Sequence, residues 1–393
     1  MNFLEVTIGE LEAMGCFQSI QDGNHGDKHP KSSDYVLEGV PFIMASDISS
    51  GRVDVASASK LPQSITDKLR IGFCFGGDVL LSHKGSVGYV AIAPEHDPYL
   101  MLTPKVTYYR VSPEKLSARF LSYAFREPTF QKRLLSTAGQ QGTRGYVGIK
   151  AQRQLKVRFC HRSIQDRIVD AISPYDDLIE NNRRRIALLE QAARMLYREW
   201  FVHFRFPGHE HIKIIDGIPE GWEKRALGEF ARVRKGKNIT KETVENGSVP
   251  VVAGGLKPAY YHSRWNAEGP VITISASGAN AGHVALYHSN IWASDCSFLS
   301  SSENSGIWTL FLALKSRQAE ITAMQQGAAQ PHVYPKQLER LVLPLAPASL
   351  GALFEESVDA SFRMIANLEK QNEALAQARD LLLPRLMNGE IAL

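Results

Sequence analysis

No two of the four cysteines, Cys16, Cys74, Cys160 and Cys296, lie within ten residues of each other, so the chain lacks a CxxC metal or redox pair. Four scattered cysteines without a disulfide framework fit a reducing compartment. No apolar run approaches the ~20 residues that span a bilayer. The opening Met1-Asn2-Phe3-Leu4-Glu5 lacks the basic and apolar regions of a secretory signal. A soluble, cytoplasmic, non-membrane protein is therefore expected. A GxxxxGK[ST] phosphate loop is also missing. Lys and Arg number 45 against 41 Asp and Glu, an excess too small to announce a nucleic-acid partner by itself. Any such partner must be held by local patches.

What is present is a weak internal repeat in constant order. Ile8-Gly9-Glu10-Leu11 is echoed by Leu227-Gly228-Glu229-Phe230, and Asp78-Val79-Leu80-Leu81-Ser82 by Pro270-Val271-Ile272-Thr273-Ile274. Gly88-Tyr89-Val90 then matches Gly282-His283-Val284, and Gln140-Gln141-Gly142 matches Gln325-Gln326-Gly327. Strands are predicted at 79–81, 90–92 and 106–109, and again at 271–274 and 284–287. Ser112-Pro113-Glu114-Lys115 is expected to open a helix running to about Glu127, and 307–315 reads as a second helix.

Each half closes on a heptad seam. Ile168, Ile172, Tyr175, Ile179, Asn182, Ile186, Leu189, Ala193, Leu196 and Trp200 alternate in steps of four and three. The series from Phe354 to Leu386 repeats each position plus 186. Two such helices can satisfy each other; alternatively, each packs on its own domain. Pro174 either starts its helix, with Ser173 as cap, or kinks a longer one. A twofold swap of i with i+186 places Asn182 opposite Asn372. The seam ends at Trp200, so an insertion between Trp200 and Phe206 is expected to leave it intact.

Several segments resemble the specificity subunits of Type I restriction-modification systems. They are Ser163-Ile164-Gln165-Asp166-Arg167-Ile168-Val169 with Asp176 to Arg184, Leu196 to Phe204, Gly217-Ile218-Pro219-Glu220-Gly221-Trp222, and Leu381 to Ile391. The resemblance implies a mixed α/β (α+β) chain with two target recognition domains in pseudo-twofold repeat. Two long antiparallel helices forming a coiled coil separate them. The boundaries read as recognition domain one at 1–160, central spacer helix at 161–205 and linker at 206–221. Recognition domain two follows at 222–345, then the C-terminal spacer helix at 346–393. Each domain would read one half of a bipartite double-stranded DNA target. The helices would receive two methyltransferase subunits, with endonuclease/translocase subunits joining. Phe159-Cys160-His161-Arg162 departs from the proline-rich loop common before the first helix, whereas Leu343-Pro344-Leu345-Ala346-Pro347 keeps it.

The chain carries neither the Asn/Asp-Pro-Pro-aromatic motif nor the Gly-rich cofactor loop of an adenine methyltransferase. A non-catalytic, cofactor-free subunit is expected, with S-adenosylmethionine, ATP and Mg on partner subunits. Ser294-Asp295-Cys296 and His209-Glu210-His211 read as ordinary loops rather than catalytic or metal sites. DNA contacts should come from Gly-flanked polar loops, where Gln can pair with adenine and Arg with guanine. The first-half candidates are Gln140, Gln141, Thr143, Arg144, Ser82 and Lys84; the second-half ones are Ser275, Asn280, Gln325, Gln326 and Gln330. Arg234, Lys235 and Lys237 belong to a basic run suited to phosphates. The competing reading is a DNA- or RNA-binding targeting scaffold of another defence complex.

Overall fold

The computed structural model describes residues 3–25, 29–139, 145–327 and 330–391. The chain divides into two units: 1–179 with 373–393, and 180–372.

In the first unit the strands Phe17–Asp22, Val106–Val111, Val79–Ser82 and Val90–Ile92 form an antiparallel sheet in that order. Every residue of Val79–Ser82 is buried. Val79 and Leu81 join one apolar cluster and Leu80 another, because successive side chains leave opposite faces and both faces are covered. That explains a continuous apolar run where a half-exposed strand would alternate. A second sheet, ordered Ser59–Leu61, Val40–Ile43, Leu100–Leu102, Phe73–Cys74, contains one parallel pair, Val40–Ile43 with Leu100–Leu102. Leu4–Thr7 pairs with Lys156–Phe159 and closes the chain end against the strand that precedes the central helix.

The helix expected from Ser112 begins instead at Ala118 and ends at Arg126. Lys115 N–H bonds the Ser112 carbonyl in a turn, and Ser117 supplies the cap, its hydroxyl accepting from Phe120 N–H at 3.4 Å. Pro128 follows, where a helix ends readily.

The second unit repeats this plan. Arg234–Lys235, Cys296–Ser300, Val271–Ser275 and Val284–Tyr287 form the antiparallel sheet. Tyr260–His262, Val249–Val252 and Trp292–Ala293 form the sheet with one parallel pair. Glu223–Ala226 pairs with Val342–Leu345. The helix Ile307–Ser316 has Gly306 in the left-handed region at its start, and no local side-chain cap. Glu355 of the C-terminal helix takes that role, accepting from the N–H groups of Trp308 and Thr309 at 2.9 and 3.0 Å.

The central helix runs from Arg162 to Tyr197 with Pro174 inside it, then widens into one π turn at Arg198–Val202. The C-terminal helix runs from Ala348 to Met387. Their segments are antiparallel within each unit. In the first, Ile168 and Ile172 share a core with Leu383, Leu386 and Met387. Asp176 there accepts from Arg379 at 2.6 Å and Arg126 at 3.2 Å. Burial alone would raise the Asp176 carboxyl, but Arg126 and Arg379 outweigh it and hold it below the usual range. In the second unit Ala193, Tyr197 and Trp200 share a core with Phe354, Val358 and Ile365. The expected opposition of Asn182 and Asn372 is present, with Asn182 Nδ2 donating to Asn372 Oδ1.

Residues 206–221, read as a linker, are structured. Phe206 is buried with Trp222, and Ile214–Ile215 pairs with Ile218–Pro219. Among the described residues no helix is long and apolar enough to cross a membrane.

Candidate nucleic-acid interface

The repeat is clearest where the sheet's central hairpin turns. In the first unit Ser82 N–H bonds Tyr89 O at 2.8 Å and Gly88 N–H bonds Ser82 O at 2.9 Å. In the second, Ser275 N–H bonds His283 O at 3.0 Å and Gly282 N–H bonds Ser275 O at 2.8 Å. The hairpin end then pairs with a distant segment in the same way in both units. Gly85 N–H bonds Gly145 O and Val147 N–H bonds His83 O, at 3.1 and 2.9 Å. Gly278 N–H bonds Pro331 O and Val333 N–H bonds Ala276 O, at 3.1 and 3.0 Å.

The glycines carry this geometry. Gly85 and Gly278 have φ of +77° and +78°, and Gly88 and Gly282 of +100° and +83°. Such values strain any residue with a Cβ.

The candidate side chains sort by exposure. Ser82 and Ser275 are buried inside the hairpin, and Ser82 Oγ accepts from Tyr89 N–H at 2.8 Å, so neither presents a hydroxyl to solvent. Lys84 is exposed, its Nζ 5.6 Å from the Tyr146 ring centroid. Ser277 donates to Asp295, and Asn280 Nδ2 donates to Gly254 O at 3.3 Å. Gln325 Nε2 donates to Ala281 O at 2.8 Å and so props the hairpin. Gln326 and Gln330 are exposed, and Gln326 exchanges two backbone bonds with His332. Gln140, Gln141, Thr143 and Arg144 lie outside the described residues.

The basic run divides too. Arg234 is held by Glu303 through two bonds of 2.9 and 2.5 Å, and Arg232 lies 3.4 Å from the same carboxylate. The pair lifts Arg234 above, and holds Glu303 below, their ordinary pKa ranges. Lys235 and Lys237 are exposed. Residues 232–265 hold seven Lys and Arg against two Glu, a local excess that the chain total hides.

The sequence reading did not single out the exposed aromatic side chains. Tyr334 is 49% exposed and its ring stacks on His332 at 5.8 Å, beside the second hairpin. Tyr261 and Trp265 are also exposed, interleaved with Lys257 and Arg264. That alternation of aromatic and basic residues was the available signal.

The tempting catalytic motifs are structural. Cys296 lies buried in a strand, and burial pushes its thiol up to about 12, far from a reactive thiolate. His209 Nδ1 lies 2.8 Å from Phe206 O in a short turn. Among the described residues no cluster of three or more His, Cys, Asp or Glu side chains could hold a metal.

A sequence profile for the Type I restriction modification DNA specificity domain matches residues 18–191 and 219–356. The MjaIX Type I restriction enzyme specificity subunit of Methanocaldococcus jannaschii is 25% identical, covering 99% of this chain and 96% of that one. The HindI specificity subunit of Haemophilus influenzae is 23% identical over 78% of this chain and 87% of its own. The solved Type I restriction-modification S subunit of M. genitalium aligns with a TM-score of 0.55 at 19% identity, over 98% of this chain and 96% of that one.

Proposed function

The chain belongs to the Type I restriction-modification DNA specificity family, and from that premise we propose that its two hairpin ends read the two halves of a bipartite DNA target. It is a DNA-sequence specificity subunit with two recognition domains; it carries no catalytic cofactor, and the catalytic activities of such systems lie in other subunits. DNA, methyltransferase and endonuclease subunits are the partners that membership implies. Two methyltransferase copies per chain, S-adenosylmethionine, ATP and Mg on the partners, and a cytoplasmic location complete the proposal.

The observation that carries it is the identical hydrogen-bond frame at Ser82–Tyr89 and Ser275–His283, each fed by a polar, Gly-flanked segment. Lys84, Lys235 and Lys237 grip phosphates. Gln326, Gln330 and Asn280 serve the second half-site, with Gln140, Gln141, Thr143 and Arg144 serving the first. Arg234 is available to phosphate only if it leaves Glu303.

The test is methylation mapping with the methyltransferase partner. Gln141→Ala and Arg144→Ala should alter one half-site, and Gln326→Ala and Gln330→Ala the other. Both sets altering the same half-site would refute the division of labour.

A further inference from the structure

Behind the first hairpin end lies a buried polar cluster with no counterpart among the described residues of the second unit. His83 and Gln152 are fully buried, as are Thr107 and Tyr109, and Asp22 nearly so. Gln152 has two amide protons. One goes to Val147 O at 2.7 Å, and the other is shared between His83 Nδ1 at 2.8 Å and Thr107 Oγ1 at 3.0 Å. Thr107 passes its own proton to Asp22 Oδ1 at 2.5 Å, and the Tyr109 hydroxyl donates to Gln152 Oε1. With Nδ1 accepting from Gln152, His83 Nε2 is left to donate to Pro104 O at 3.1 Å. Every donor in the cluster thus meets an acceptor, and the bonds interlock. It ties the segment at Val147 to two strands and to the turn before Val106.

The strand registers identify the matching positions in the second unit. Ser82 opposes Val106 as Ser275 opposes Cys296, so Thr107 and Tyr109 correspond to Ser297 and Leu299. Asp22 opposes Thr107 as Lys235 opposes Ser297. Val147 N–H bonds His83 O as Val333 N–H bonds Ala276 O, which pairs His83 with Ala276. Gln152 plus 186 is Leu338, which packs with Leu299 and Val333 in an apolar core. At the positions matching Tyr109 and Gln152 the second unit supports the same backbone frame by hydrophobic contact, which is tolerant of small shifts. The first holds it by directional bonds, which are not.

We infer that His83 and Gln152 are positioning residues for sequence reading by the first recognition unit, fixing the edge that presents Lys84 and Tyr146. They touch no DNA. They act by fixing the backbone of His83–Gly85 against Gly145–Val147. The inference rests on the reading that this edge faces DNA.

The experiment is genome-wide methylation mapping of the full chain with its methyltransferase partner. Gln152→Leu copies the second unit, removes the amide donor to His83 Nδ1 and Val147 O, and strands the Tyr109 hydroxyl. It should raise methylation at targets with one wrong base in the first unit's half-site about tenfold, leaving the other half-site unchanged. His83→Asn places an acceptor where Nδ1 stood and should retain most discrimination, whereas His83→Ala should not. Should Gln152→Leu fail to fold, Tyr109→Phe removes one hydroxyl and keeps the ring packed on Phe17 and Phe125. It should show the same half-site bias, reduced in size. Equal loss at both half-sites, or intact discrimination in Gln152→Leu and Tyr109→Phe, overturns the inference. Lys84→Ala and Tyr146→Ala separate the two claims: if neither weakens methylation of the target, the DNA-facing reading fails; if they do and the cluster variants leave discrimination intact, the positioning role fails alone.

Discussion

Asn182 Nδ2 donates to Asn372 Oδ1 at 3.0 Å in the helix seam of the second unit. The pseudo-symmetric partners of these residues, at plus or minus 186, are Leu368 and Ile186, an apolar pair. Asn182 is buried, so a lone amide there is costly. Asn182→Leu should lower unfolding free energy by about 1–3 kcal/mol, since it strands Asn372. Asn182→Leu with Asn372→Ile, which copies the symmetric pair, should recover most of the loss. A double-mutant cycle by urea denaturation measures the coupling. A double mutant no better than the worse single would mean that the pair does not act as a unit.

Stability of the second unit should depend on His288. Its ring lies 5.7 Å from Trp308 and 6.4 Å from Phe362, and burial pushes its pKa down to about 4. An unfolded histidine titrates near ~6.5. Between these values the unfolded chain binds the extra proton, so stability is complete above ~6.5 and falls as the pH drops toward 4. The loss should reach roughly 2–3 kcal/mol. His288→Phe should flatten that slope in denaturation curves taken across this range. A slope unchanged by the substitution would assign it to other groups.

Salt dependence distinguishes the basic side chains. Each phosphate contact contributes about 0.9 to the slope of log affinity against log salt. Lys235→Ala and Lys237→Ala should each reduce the slope of the assembled complex by about one, uniformly across target sequences. Arg234→Ala should leave it unchanged, because Glu303 already neutralises that guanidinium. Fluorescence anisotropy over a salt series gives all three slopes. A fall for Arg234→Ala equal to that for the lysines would show that DNA displaces Glu303.

What the sequence made legible was periodic or repeated. The seam from Ile168 to Trp200 could be read because burial recurs every three or four residues. The hairpins could be read because Gly88 and Gly282 keep the positive φ that their turns require. The His83 cluster was not legible, because its members lie at 22, 83, 107, 109 and 152 and only the sheet brings them together. Arg234 looked free because its carboxylate lies 69 positions away. The helix at Ala118 was placed early because Pro113 mimics a first-turn proline, while Ser117 carries the actual cap. Pro174 sits within its helix, because packing of Ile168, Ile172 and Ile179 on both sides outweighs one missing hydrogen bond.

The end of the central helix is where the structure changes an expectation most. An insertion between Trp200 and Phe206 is expected to leave the seam intact, because the seam stops at Trp200. The segment is instead part of the second unit's core. Trp222 packs against Phe201, Phe204 and Phe206 at 5.3, 5.4 and 5.4 Å. His203 N–H bonds Arg198 O and Arg205 N–H bonds Glu199 O, at 2.8 and 2.7 Å, so the chain turns back on the π turn with little slack. Four inserted residues would displace Phe204 and Phe206 from Trp222 while Phe201 stays. The loss should approach that of a large aromatic truncated in a core, about 3–5 kcal/mol, and Trp222→Ala provides the reference. The same four residues after Glu210 fall where 210–213 are exposed, and should cost about 0.5 kcal/mol or less. Urea denaturation followed by tryptophan fluorescence compares the three variants. Equal stability of the two insertions would mean that the aromatic cluster does not anchor this turn.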